Sequence, residues 1–251
     1  MNIPSNRKLE GRAALITGGS RSIGAAIARR LAADGASVAI TFSSSPGPAE
    51  AVVKAITDAG GKALAIKADS GQAAAVVRAV QATVEAFGRL DILVNNAGIL
   101  ALGPLDQLTL ADFDRSIAVN VRGVFVATQE AARHMGEGGR IINIGSTNAD
   151  RMPFPGGSVY AMTKSALIGL TKGLARDLGP RGITINNVQP GPVDTDMNPA
   201  SGPFAETMKS LMALPRYGHA DEIAGLVSYL ASPEAGFVTG ASLTIDGGFA
   251  A

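Results

Sequence analysis

Short apolar runs recur along this chain, and almost every one is followed by a stretch of helical periodicity. The runs fall at residues 13–17, 37–42, 63–66, 91–94, 139–146, 183–188 and 242–245. Each is strand-length and bounded by glycine or polar residues. Between them lie helical patterns at 25–32, 49–59, 71–87, 105–135 (one helix or two), 160–178 and 221–231. Parallel strands need crossover connections, and helices are the usual ones. The order therefore predicts an α/β fold: one Rossmann-like, doubly wound domain over 1–251, with a seven-stranded parallel sheet and helices on both faces. There is no internal repeat and no low-complexity segment.

Composition narrows the chemistry. The net charge is +1 and there is no basic tract, so no nucleic-acid partner is expected. The absence of cysteine removes thiolate nucleophiles and Cys-type zinc sites, and His134 and His219 alone do not suggest a metal site. No apolar run is long enough to span a bilayer. The first ten residues are polar, so no signal peptide is expected and a cytoplasmic enzyme is.

The run 13–17 ends in Gly18-Gly19-Ser20-Arg21-Ser22-Ile23-Gly24 and leads straight into a helix. Loop N–H groups and a helix N-terminus together attract a pyrophosphate, and small residues let it approach. The same residues also suit an ordinary tight turn. After the run 37–42, where NAD sites usually carry an acid, stand Ser43-Ser44-Ser45. Hydroxyls there, with Arg21 nearby, suit a 2′-phosphate, which favours NADP over NAD. Asn95-Asn96-Ala97-Gly98 ends the fourth run and either borders a cofactor or serves structure. Asn120 stands in an apolar helical pattern, where it needs hydrogen-bond partners if buried.

Tyr160 and Lys164 are four apart on a predicted helix and share a face. An ammonium beside a phenol favours phenolate, so the tyrosine pKa is expected below its reference of ~10. Such a tyrosine can act as a general acid or base near neutral pH.

Thr17-Gly18-x3-Ser22-Ile23-Gly24, Asn95-Asn96-Ala97-Gly98, Asn120, Ser146, Tyr160-x3-Lys164 and Pro190-Gly191-x3-Thr195 stand in one order. In this the chain resembles the short-chain dehydrogenase/reductase family from about residue 9 to 251. The resemblance implies catalytic roles for Asn120, Ser146, Tyr160 and Lys164. Ser146 positions a substrate carbonyl and Tyr160 passes the proton. Lys164 lowers the tyrosine pKa, and Asn120 holds a water that leads from the lysine towards solvent. NADP(H) is the implied cofactor. Gly18, Arg21, Ile23 and Gly24 are to hold its pyrophosphate side, and Arg21 and Ser43 its 2′-phosphate. Asp69 is to meet the adenine, Asn96 the adjoining ribose, Tyr160 and Lys164 the nicotinamide ribose, and Thr195 the carboxamide. Ser20, Ser22, Ser70, Ala97, Gly98, Pro190, Gly191 and Val193 complete its surroundings. One departure is that Ser22 stands where the family usually has glycine. If the position needs positive φ, serine costs on the order of 1 kcal/mol.

The function implied is an NADPH-dependent carbonyl reductase acting on a ketone or secondary alcohol. Two alternatives remain. One is a 3-oxoacyl-thioester reductase. The other is a cyclic-di-GMP-binding regulatory module on the same fold: Asp150 to Pro153, Gln189 to Pro192 and Asn198 to Ala200 resemble a bacterial branch described as mediating biofilm dispersal. The family also implies a homotetramer paired through the long helices around Asn120 and after Tyr160. The stretch Asn198 to Leu214, which begins with Pro and Gly and carries a Met-rich amphipathic piece from 204, is expected to form a lid that closes over the nicotinamide.

Overall fold

The computed structural model describes residues 7–251. Its strands are β1 (Ala13–Ile16), β2 (Ser37–Phe42), β3 (Ala63–Lys67), β4 (Ile92–Asn95), β5 (Arg140–Ile144), β6 (Thr184–Pro190) and β7 (Ser242–Ile245). They form one seven-stranded sheet in the order β3-β2-β1-β4-β5-β6-β7. Every pairing is parallel. The order reverses direction between β1 and β4, which opens a crevice at their C-terminal ends.

Period-two alternation sends side chains to two cores. Ala14, Ile16, Val38, Ile40, Ile92, Val94, Ile142 and Ile144 pack under α1 (Ser22–Ala33), α2 (Pro46–Asp58) and α8 (Ala220–Ala231). Leu15, Ala39, Leu93 and Ile141 face α3 (Ala73–Phe87), α5 (Gly123–His134) and α6 (Ser158–Leu178). With both faces covered, the central strands read as continuous apolar runs, which is why the sequence reveals them.

Three boundaries differ from expectation. Helix α2 begins at Pro46 rather than 49, because proline in a first turn gives up only an N–H that has no helical partner. The stretch 105–135 holds α4 (Leu110–Ile117), a π-helical turn Ala118–Arg122, and then α5. Residues 105–109 lie outside those helices, and Thr109 caps α4 by accepting from the Asp112 N–H. Within 204–214 only α7 (Ala205–Ser210) is helical.

Two polar devices fix the sheet. Asn95 and Asn143 are register partners, as are Asn143 and Asn187. The Asn95 amide donates to Asn143 Oδ1 at 2.9 Å and to Thr128 Oγ1 at 3.1 Å, and the Asn143 amide donates to Thr171 Oγ1 at 3.0 Å. A one-residue slip would turn these amides into the opposite, apolar core. At the other end of the sheet, the buried Asp91 carboxylate accepts from Arg89, Arg12 and the Ala13 N–H.

Candidate active site

Ser146 follows β5 at the C-terminal edge of the sheet and is buried. Its Oγ accepts the Asn148 N–H at 3.1 Å, which leaves the hydroxyl proton free to donate. Tyr160 lies in the first turn of α6, with Lys164 one turn further on. Lys164 Nζ stands 5.7 Å from the centroid of the Tyr160 ring and donates to the Ile144 carbonyl at 2.7 Å. A Cβ on Gly98 would lie 3.5 Å from Lys164 Nζ and 3.6 Å from Asn120 Oδ1, so the loop after β4 passes close to both. Ser146, Tyr160, Lys164 and Asn120, scattered in the sequence, thus border one end of the crevice.

The electrostatics differ from expectation. Burial pushes the Tyr160 phenol above its ordinary value, and a hydrogen bond with Ser146 offsets part of that rise. Burial also brings Lys164 down to about 8. The expected lowering of the tyrosine by the lysine does not prevail in the ligand-free chain. Loss of water disfavours phenolate and ammonium alike, and the ammonium bonds to a backbone carbonyl.

Asn120 sits in the π-helical turn and is 1% exposed. Such turns often mark functional sites. Its Oδ1 accepts from the Ile99 N–H at 2.9 Å, and its Nδ2 donates to the Ile99 carbonyl at 2.9 Å and to Thr163 Oγ1 at 3.0 Å. The side chain expected to hold a water is committed instead to clamping the loop after β4 onto α6.

The other end of the crevice is the glycine loop. Thr41 Oγ1 accepts from the Gly18 N–H at 3.0 Å, and Thr17 Oγ1 accepts from the N–H groups of Asn96 and Ala97 at 3.0 and 3.1 Å. A Cβ on Gly24 would collide with the Gly18 carbonyl and the Asn96 amide, so only glycine allows the helix to start so close. No side chain caps α1, whose first N–H groups remain open towards the loop. Ser22 has φ +49°, the only positive φ at a non-glycine among the described residues. The position does call for glycine geometry, and serine bears a cost on the order of 1 kcal/mol.

The remaining cofactor residues divide. Arg21 and Ser43 are exposed, and Ser20, Ser22, Ile23, Ser70, Ala97, Gly98, Gly191 and Thr195 are half-buried around the crevice. Pro190 and Val193 are buried beneath its floor. Two expected contacts are already engaged. The Asn96 amide donates to the carbonyls of Thr17 and Gly18, so it braces the loop. The Asp69 carboxylate accepts from the Gly71 N–H at 2.9 Å and from both terminal nitrogens of Arg115, at 2.9 and 3.1 Å. Arg115, Thr163 and Gln189 carry no local signal in the sequence. Gln189 Nε2 donates to the Ser146 carbonyl at 3.2 Å and to Asp150 Oδ2 at 2.8 Å, tying the serine's loop to β6.

Comparison with known proteins finds the same fold in relatives of high identity. A family model described as enoyl-(acyl carrier protein) reductase matches residues 18–250. The cyclic-di-GMP-binding biofilm dispersal mediator protein of Escherichia coli K12 is 52% identical over 241 residues, covering 96% of this chain and 98% of that protein. A solved short-chain dehydrogenase/reductase from Serratia marcescens BCRC 10948 superposes with a TM-score of 0.96 at 66% identity, covering 97% of this chain and 100% of that one. A short chain dehydrogenase from Burkholderia cenocepacia J2315, solved in complex with NADP, gives a TM-score of 0.96 at 59% identity over the same shares.

Proposed function

Because this chain belongs to the short-chain dehydrogenase/reductase family, we propose that it is an NADP(H)-dependent carbonyl reductase acting on a ketone or secondary alcohol. The observation that carries the reading is the meeting of three groups at the end of β5. Ser146 Oγ accepts the Asn148 N–H and keeps its own proton to donate, its hydroxyl lies near enough to Tyr160 to offset part of the rise that burial gives the phenol, and Lys164 is anchored two residues before it on Ile144.

The residues fit the cofactor. The close approach at Gly24, the uncapped start of α1 and the exposed Arg21 guanidinium suit a pyrophosphate with a 2′-phosphate. A relative solved with NADP supports the choice. Gly18, Arg21, Ile23 and Gly24 hold the phosphates, and Tyr160, Lys164 and Thr195 the nicotinamide end. NADPH, when bound, supplies the hydride. The chain's own groups serve the carbonyl oxygen. Ser146 donates a fixed hydrogen bond where negative charge grows, and Tyr160 gives up its phenol proton there. Lys164 keeps a positive charge beside that proton's position, and Asn120 holds the loop and helix that frame it.

Among the described residues no helix is long and apolar enough to cross a membrane, which fits the cytoplasmic placement we infer. A largely apolar groove lined by Ile117, Val121, Phe125, Leu170 and Leu174, with Arg122 and Asp177 beside them, lies between α4–α5 and α6 and suits one pairing of copies within the homotetramer we infer. Light scattering that gives a monomer at micromolar concentration removes that assignment.

The name of the E. coli relative favours a second reading, a cyclic-di-GMP-binding module, and the family model's description favours an acyl-thioester substrate. One experiment separates them. NADPH consumption is followed with a ketone panel and a 3-oxoacyl thioester, beside a titration with cyclic-di-GMP. Turnover of simple ketones that Tyr160→Phe abolishes supports the carbonyl reductase. Saturable nucleotide binding without turnover of any carbonyl overturns it.

A further inference from the structure

Ser22 is strained, and its side chain has a use that glycine could not supply. Its Oγ accepts the N–H of Asp196, 174 residues away, at 3.3 Å. On the adjacent residue, Arg21 Nε stands 3.6 Å from Asp196 Oδ2, and the two side chains are 65% and 64% exposed. Arg21 makes no other ion pair among the described residues. Asp196 directly follows Thr195 in a turn closed from both sides: Thr195 N–H donates to the Asn198 carbonyl and Asn198 N–H to the Thr195 carbonyl. Tyr217 and the Ala200 N–H fasten the rest of the turn, to Asn198 and Asp194. Two contacts therefore join the glycine loop to the segment carrying Thr195, and one of them occupies Arg21.

We propose that Asp196 is a specificity-determining residue for the cofactor. Its carboxylate competes with the 2′-phosphate for Arg21, so a 2′-phosphorylated ligand breaks the ion pair and loosens the 193–200 segment, while a ligand without that phosphate leaves it in place. The inference rests on the NADP(H) reading and deepens it. The sign follows from the charges. An exposed pair at this separation is weak, whereas a phosphate offers Arg21 a doubly charged, bidentate partner. The phosphate wins, and the affinity it gains is reduced by whatever the carboxylate contributed. The neighbouring Ser22 contact carries no charge and persists with either ligand.

The test is direct binding, with 2′,5′-ADP and NADPH against 5′-AMP and NADH, at low salt, by calorimetry. Asp196→Asn is expected to tighten the two 2′-phosphorylated ligands by about two- to fivefold and to leave the other two within error, since an exposed pair is worth little more. The gain should shrink at 0.5 M salt, where the charges are screened. It should also vanish in the Arg21→Ala background. Equal tightening of all four ligands, or none for 2′,5′-ADP, overturns the proposal. Arg21→Ala alone checks the underlying reading: if it weakens NADPH and NADH alike, Arg21 is not the 2′-phosphate residue, whatever Asp196 does. Hydrogen exchange gives a second measure. Saturating 2′,5′-ADP should speed exchange in residues 193–200 of the native chain but not of Asp196→Asn, and the same response in both sinks the coupling.

Discussion

Lys164 reaches across from α6 to the end of β5, where its Nζ donates to the Ile144 carbonyl at 2.7 Å, two residues before Ser146. The bond places a cation inside the protein with a backbone oxygen as its hydrogen-bond partner. Burial costs such a cation stability, which is what a proposed role in chemistry would have to offset.

The cost has a pH signature. The folded pKa is about 8, against a reference of 10.5. Between those values the unfolded chain binds more protons than the folded one, so this group's contribution to stability rises with pH. Its penalty is fully present below pH 8 and is relieved as pH climbs towards 10.5. A 2.5-unit shift corresponds to about 3 kcal/mol. Lys164→Met should therefore be inactive yet more stable at pH 7, by on the order of 1–3 kcal/mol. Denaturant melts at pH 7 and pH 10 should show the gap closing. A variant less stable at pH 7 contradicts the burial argument.

Asp91 behaves in the opposite sense. Burial raises its carboxyl, but hydrogen bonds and charge from Arg89, Ala13 N–H and Arg12 outweigh that and hold it below the usual value. Its stabilisation is present above the unfolded carboxylate pKa and lost as pH falls through the folded one. Asp91→Asn should cost about 1–2 kcal/mol at pH 7, because it removes the charge that the partly exposed Arg89 and Arg12 guanidinium groups pair with, while the amide oxygen can still accept one hydrogen bond. The difference from the native chain should narrow in acid, as pH falls through the lowered value of the native carboxylate. An equal deficit at pH 7 and in strong acid would mean that packing, not charge, is lost.

The sequence reveals what local pattern controls. Buried strands appear as apolar runs, and Tyr160 and Lys164 are found because four residues make a helical turn. Pairings between distant segments leave no such trace. Arg115 is 46 residues from Asp69, and Gln189 is 43 from Ser146. The π-helical turn at Asn120 shifts the hydrogen bonding without breaking the apolar spacing, so the stretch reads as ordinary helix. The tyrosine's pKa moves against expectation because spacing shows the neighbouring charge, whereas burial depends on the whole fold.

Gln189 is buried and its amide bridges the Ser146 carbonyl and the Asp150 carboxylate, which suits a positioning role for the pair. Asp150→Asn keeps an acceptor oxygen, and Asp150→Ala removes it. The alanine variant should lower kcat several-fold, up to about tenfold, with NADPH affinity and melting temperature little changed, while the asparagine variant restores most of the turnover. If the asparagine variant is as slow as alanine, the carboxylate's charge matters and the positioning role fails.

The reaction itself sets the last expectation. In the proposed reaction, reduction needs a phenol on Tyr160 and profits from a charged Lys164. Tyr160→Phe should remove the proton source while leaving NADPH binding largely intact. Turnover should then fall by about a hundredfold or more, on the order seen for lost general acids, with little change in KM for the cofactor. Ser146→Ala should slow turnover by roughly a hundredfold, as for other lost donors to a developing oxyanion. With NADPH varied, kcat/KM reports groups of the enzyme before cofactor binds. Because burial pushes the phenol up and brings the lysine down to about 8, the first proton lost on raising the pH belongs to Lys164. The profile should be flat at neutral pH and fall through about 8. In Lys164→Arg, whose guanidinium stays charged, any residual activity should lose that limb. A limb unmoved by Lys164→Arg assigns it elsewhere, and near-native ketone turnover in Tyr160→Phe would remove Tyr160 as the donor and return weight to the nucleotide-binding reading.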